Sequence, residues 1–95
     1  MPRIAAFIDR DGVISHEVKH PEIVDAQGRA CSDPLSPDEL VFYPRVDEAF
    51  ALLNKHGIIT CIVSNQVGFA KGFFTVETLD AVKAKMRDHC KPDGI

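Results

Sequence analysis

Asp9 and Asp11, separated by Arg10 and followed at once by Gly12, are the residues of this 95-residue chain best suited by type and spacing to do chemistry. One carboxylate can attack phosphorus and form an aspartyl-phosphate. A second, two residues on, can protonate the leaving oxygen and later deprotonate water. A hard cation such as Mg²⁺ takes oxygen ligands and keeps several waters, so one or two carboxylates plus a phosphate would hold it. Asp9 and Asp11 are therefore candidates both for catalysis and for metal ligation. Asp-x-Asp pairs also occur in ordinary surface loops, so position must supply the rest. A calcium loop is excluded: counted from Asp9, Gly12 comes before the sixth place and His20 occupies the twelfth, where glutamate is needed.

Position comes from the elements around the pair. Ile4-Ala5-Ala6-Phe7-Ile8 is an apolar run running straight into the acids, which predicts a parallel-sheet strand buried on both faces. Side chains alternate along a strand, so Asp9 and Asp11 would share a side if the extended geometry continued. Ile58-Ile59-Thr60-Cys61-Ile62-Val63 predicts a second, β-branched strand. Between them a helix is expected, with Pro44 in its first turn and Asp47 and Glu48 near its amino end. Val46, Ala49, Phe50 and Leu53 form its apolar face, and Gly57 its stop. The order β, loop, α, β suggests a parallel pair with a right-handed crossover. Parallel neighbours put both carboxyl ends on one edge, where α/β sheets hold ligands. Ser64 and Asn65 would then face Asp9 and Asp11, offering a hydroxyl and a carboxamide to phosphate oxygens.

The rest of the chain is less specific. Gly68-Phe69-Ala70-Lys71-Gly72 lacks the Gly-Lys-Ser/Thr ending of a nucleotide-binding loop. Lys71 could reach a phosphate, though solvation is the simpler expectation. Thr75 is a plausible N-cap for a second helix running to about His89, with Leu79, Val82 and Met86 on its core face. Gly94-Ile95 reads as the start of a third strand. The polar stretch Ser15 to Leu40, with Glu22-Ile23-Val24 as a short strand, leaves the proposed reaction centre directly and is read as substrate-facing, an ordinary surface excursion being the alternative. His16 and His20 have no metal-ligand partner at a recognisable spacing and are expected to be solvated.

Composition sets the bounds. The chain is one domain at most, residues 1–95, with 45% hydrophobic and 26% charged residues. A net charge of −3 leaves no basic field to attract nucleic acid or an anionic membrane. No stretch is long enough to span a bilayer, and the short run after Arg3 is no signal peptide. Three widely spaced cysteines without a Cys-x-x-Cys point to free thiols and a cytoplasmic protein.

With both motifs placed, the chain resembles the haloacid dehalogenase superfamily of phosphatases. Phe7-Ile8-Asp9-Arg10-Asp11-Gly12-Val13-Ile14 looks like its first motif, and Ile62-Val63-Ser64-Asn65-Gln66-Val67-Gly68 with the residues to Thr75 looks like an extended second motif. The Asp-Arg-Asp-Gly and Asn-Gln-x-Gly versions resemble the heptose-1,7-bisphosphate and histidinol-phosphate phosphatase branch, with polynucleotide 3′-phosphatases a related possibility. The resemblance implies a Rossmann-like parallel α/β sheet, here the N-terminal part of the domain and incomplete. It implies Asp9 as nucleophile and Mg²⁺ ligand, and Asp11 as general acid/base, with its backbone carbonyl also on Mg²⁺. It implies Ser64 and Asn65 on the transferring phosphate, with Gln66 near the substrate. Departures are Lys71 in place of the branch's usual arginine, Val67 in place of a small polar residue and Ser15 in place of asparagine. Lys91-Pro92 faintly resembles the lysine-proline of the third motif, but a further strand should come first, and a linker lysine at a helix end is the simpler reading. The branch's zinc-binding cysteine loop has no counterpart, and nothing after Ile95 supplies the later acidic motif.

Three functions compete: a Mg²⁺-dependent phosphomonoesterase of a small phosphorylated metabolite, such as a sugar bisphosphate; a non-catalytic fragment that cradles phosphate; and a nucleic-acid-end phosphatase. The acidic balance counts against the third. Losing cationic and metal stabilisation of a phosphoryl transition state costs orders of magnitude in rate, so the 95-residue chain alone is expected to be weak or inactive. A sheet this small leaves unpaired edges, which predicts self-association or the need for a further segment.

Overall fold

A computed structural model describes residues 3–64, 69 and 71–95. In chain order the elements are β1 (Ala5–Asp9), β2 (His20–Val24), β3 (Ala30–Cys31), a 3-10 turn at Pro37–Glu39, α1 (Val46–Lys55), β4 (Ile59–Val63) and α2 (Val76–Cys90). β1 and β4 pair in parallel, from Ala5 opposite Ile59 to Asp9 opposite Val63. β2 and β3 form a separate antiparallel hairpin within the long polar stretch. The expected third strand begins where it was read. Gly94 bridges Cys61 in parallel, the Ile62 N–H donates to the Gly94 carbonyl at 2.9 Å, and the Gly94 N–H donates to that of Thr60 at 3.1 Å.

The helices follow their local signals. Thr75 caps α2, its hydroxyl accepting the Thr78 N–H at 3.2 Å. Gly57 takes a positive φ of 74° just past α1, a conformation that costs glycine little. Pro44 stands ahead of α1 rather than in its first turn, because Arg45 occupies the N-cap in a left-handed conformation. The apolar faces of the two helices meet Ile8, Ile14, Leu40 and Ile62 in one core, with Phe50, Val82, Met86 and Cys90 all buried. The three cysteines are free, and Cys31 and Cys90 lie in the interior.

The expectation that β1 is covered on both faces needs correction. Ile8 and Ile62 are register partners and face the core. Their neighbours on the opposite face are open: Phe7 is 72% exposed and Val63 43%, with Ile4 at 68% just ahead of β1. Both helices pack against the same side, so among the described residues nothing shields the other. A continuous apolar run was consistent with two covered faces, but only packing decides how many are covered.

Candidate active site

The two parallel strands end together, and the acids lie at that end. Asp9 closes β1 opposite Val63, and the Arg10 N–H donates to the Val63 carbonyl at 3.0 Å. Ser64 leaves β4 at the same edge, partly buried. This is the juxtaposition the parallel pairing predicted. The chain then turns sharply: the Arg10 carbonyl accepts N–H groups from Ile14 at 2.9 Å and Ser15 at 3.0 Å, and Gly12 takes a φ of 78°. Strand geometry therefore stops at Asp9, and the alternation that would have set Asp11 on the same side as Asp9 does not continue.

The two carboxylates end up in different circumstances. Asp9 is exposed and makes no hydrogen bond or ion pair among the described residues. Asp11 is held at both oxygens by Arg10, from Nε at 3.0 Å and from Nη2 at 3.2 Å. Arg10 is 1% exposed and also reaches Asp33 at 3.4 Å, at the foot of the hairpin. An unengaged carboxylate suits a nucleophile, and one fixed by a planar guanidinium fork has a defined direction. Arg10 and Asp33 were not singled out in the sequence: a lone arginine between two acids carries no spacing signal, and Asp33 lies 23 residues from its partner.

The other predicted residues divide. Asn65 and Gln66 lie outside the described residues. Lys71 is exposed, and its Nζ donates to Asp25 at 2.6 Å, in the turn of the hairpin. Lys91 does not join the site. It caps the carboxyl end of α2 in a left-handed conformation, just before Asp93 and Gly94 pair beside Thr60 and Cys61. That pairing lies three to four strand residues, or about 10–13 Å, back from Ser64 toward the amino end of β4. A helix that returns to begin a parallel strand necessarily arrives at the opposite end from the ligand edge.

Part of the polar stretch lies beside Asp11. A surface cleft beside the turn is lined by Asp11, Glu17, Val18, Lys19 and Ser32. Lys19 thus borders the same cleft as Asp11, which sequence reasoning did not propose. His20 is not solvated: its Nε2 meets Glu39 at 2.6 Å and its Nδ1 meets Glu22 at 3.3 Å. The Glu39 contact, strengthened by Glu22 and opposed by partial burial, raises its pKa. Burial pushes Glu39 upward, but the Leu35 N–H and His20 outweigh it, so its pKa falls. Asp25 is held down to about 2, first by Lys71 and then by the Arg29 and Gln27 N–H groups. His16 remains exposed and lies against the Tyr43 ring, with centroids 4.1 Å apart.

Among the described residues no group of three or more histidine, cysteine or acidic side chains could hold a metal. Asp9 and Asp11 nevertheless offer hard oxygen donors at one edge, and a small hard cation that keeps its waters needs only one or two such carboxylates. The donor set fits Mg²⁺ in that limited sense. No described helix is long and apolar enough to cross a membrane.

Comparison with known proteins places this geometry. No protein-family model matches the chain. It is 32% identical over 91 residues to a D-glycero-beta-D-manno-heptose-1,7-bisphosphate 7-phosphatase of Mesorhizobium japonicum, covering 96% of this chain and 36% of that protein. A protein of the same name from Pseudomonas aeruginosa is 30% identical, covering 99% and 46%. Among solved structures, the chain matches D,D-heptose 1,7-bisphosphate phosphatase from B. bronchiseptica, complexed with magnesium and phosphate. The TM-score is 0.69 at 29% identity, over 97% of this chain and 45% of the other. A had-like phosphatase from Mesorhizobium loti gives a TM-score of 0.68 over 96% and 38%. The chain thus spans less than half the length of these proteins.

Proposed function

From the premise that this chain is a homologue of the haloacid dehalogenase-like phosphatases along nearly its whole length, we propose that it carries the nucleophile-bearing part of a phosphomonoesterase. The substrate proposed is a small phosphorylated sugar, of the heptose-1,7-bisphosphate type named for its relatives. The observation that carries the reading is the carboxyl edge: an exposed Asp9, its side chain unpartnered among the described residues, in register with Val63, next to Ser64 and one turn from a fixed Asp11.

In this reading an Asp9 oxygen attacks phosphorus as the bond to the sugar oxygen breaks, giving an aspartyl-phosphate. Asp11 gives a proton to the departing oxygen, then takes one from the water that cleaves the intermediate. Ser64 donates to a phosphate oxygen. Arg10 keeps the Asp11 carboxylate in one direction, and the buried Asp33 keeps Arg10 in place. Mg²⁺, with the Asp9 carboxylate and the Asp11 backbone carbonyl as ligands, would supply charge neutralisation of the phosphoryl oxygens.

The test is phosphate release from a panel of sugar phosphates and bisphosphates with and without Mg²⁺, using Asp9→Asn as control. Mg²⁺-dependent release abolished by Asp9→Asn supports the reading. Tight binding of inorganic phosphate by a folded chain without turnover would favour a phosphate-binding module instead. Equal release by wild type and Asp9→Asn would refute Asp9 as nucleophile.

A further inference from the structure

The hairpin of β2 and β3 is tied to the rest of the chain at two points. At its foot Asp33 meets Arg10, which leaves β1. At its turn Asp25 meets Lys71, which belongs to the segment following β4. The hairpin therefore reaches from the exit of one strand to the chain beyond the exit of the other.

Its turn is constructed for that second contact. The Asp25 side chain is only 6% exposed, and its two oxygens do different work. Oδ1 accepts the N–H groups of Gln27 and Arg29, both at 2.9 Å, closing the turn on itself. Oδ2 takes Lys71 at 2.6 Å, with the more exposed Arg29 guanidinium 3.4 Å away. The Lys71 side chain is itself only 28% exposed. A carboxylate that organises a turn with one oxygen and grips a cation 46 residues away with the other joins the hairpin to the segment that follows β4.

We propose that Asp25 and Lys71 form a latch that closes the β2–β3 hairpin over the phosphate-binding edge, making both positioning residues for the substrate. The proposal rests on the phosphatase reading for its purpose but not for its geometry. Lys71 acts through Asp25 rather than by touching phosphate.

The two roles open to Lys71 make opposite predictions. If it were a phosphate ligand restrained by Asp25, Asp25→Asn would release it and tighten phosphate binding. As a latch, Asp25→Asn and Lys71→Met break the same contact and have the same effect. Asn at position 25 still offers an acceptor to the Gln27 and Arg29 N–H groups, so the turn survives. The experiment measures amide exchange across residues 20–31, and inorganic phosphate affinity in the presence of Mg²⁺, for wild type, both single variants, the double variant and Lys71→Arg. Exchange is expected to rise on the order of tenfold in either single variant, no further in the double, and to stay near wild type in Lys71→Arg. Phosphate affinity should weaken together in both single variants. Unchanged hairpin exchange in Asp25→Asn, or tighter phosphate binding in that variant, would overturn the latch. Wild-type chain that binds no phosphate would count against the phosphatase reading, while the exchange data would still decide the latch.

Discussion

Asp9 and Asp11 are two residues apart, yet the structure predicts that neutralising them affects stability very differently. Asp9 is exposed and unpartnered among the described residues, so Asp9→Asn should change stability by less than about 0.5 kcal/mol, as for surface sites generally. Asp11 accepts two bonds from an arginine that is 1% exposed. Asparagine can accept one of them, but its amide nitrogen then faces an Arg10 donor, and the charge is lost. A hydrogen bond to a charged group contributes about 1.5–3 kcal/mol. The Asp11 side chain is 29% exposed, so water recovers part of that loss and about 1–2 kcal/mol should remain. At roughly 4–8 °C per kcal/mol for a domain of this size, Asp11→Asn should lower Tm by about 5–15 °C, and Asp9→Asn by no more than about 4 °C. Thermal unfolding followed by circular dichroism measures both, and phosphate release on the same samples separates folding from chemistry. Equal losses of stability in the two variants would refute the contrast between a free and a clamped carboxylate.

Other outcomes follow from the core, the hairpin and the open face. Met86 is completely buried between α2 and the sheet, so Met86→Ala should cost about 2–5 kcal/mol, read from the shift in urea midpoint. His20 has a raised pKa in the folded chain, so its contact with Glu39 contributes fully below the ordinary value near 6.5 and fades as pH rises through the higher folded value. Protection of the β2 amides, after allowing for the intrinsic rise of exchange with pH, should accordingly fall over that window, and protection indifferent to it would refute the contact. The Asp25 contribution runs the other way: it is present above about pH 4 and is lost only as pH falls toward 2, so the hairpin turn should resist moderate acid. Phe7 is 72% exposed on the uncovered face, so Phe7→Lys should leave Tm within a few degrees while reducing any concentration-dependent association in sedimentation.

Much of the site was legible because it depends on local order. A strand running into Asp9, a second running into Ser64, and one helix between them are enough to bring those residues to one edge, since a right-handed crossover leaves parallel strands no other arrangement. The apolar spacing of Val46, Ala49, Phe50 and Leu53, the cap at Thr75 and the stop at Gly57 specified both helices for the same reason: each signal lies within a turn or two of what it determines.

What tertiary structure decided are the contacts between residues far apart in sequence. Nothing local foretold that Arg10 would reach Asp33, that Lys71 would be taken by Asp25, or that His20 would meet Glu39. Nor could a five-residue apolar run say that both helices would choose one face and leave Phe7 open. Lys91 shows the distinction most sharply. Beside a proline it faintly resembled a phosphate-neutralising motif, but the return of the chain to begin another parallel strand sets it toward the end away from Asp9. Residue type and spacing determined which groups could do chemistry. Strand direction and long-range pairing, which no short window of sequence contains, determined which of them stand where the chemistry would occur.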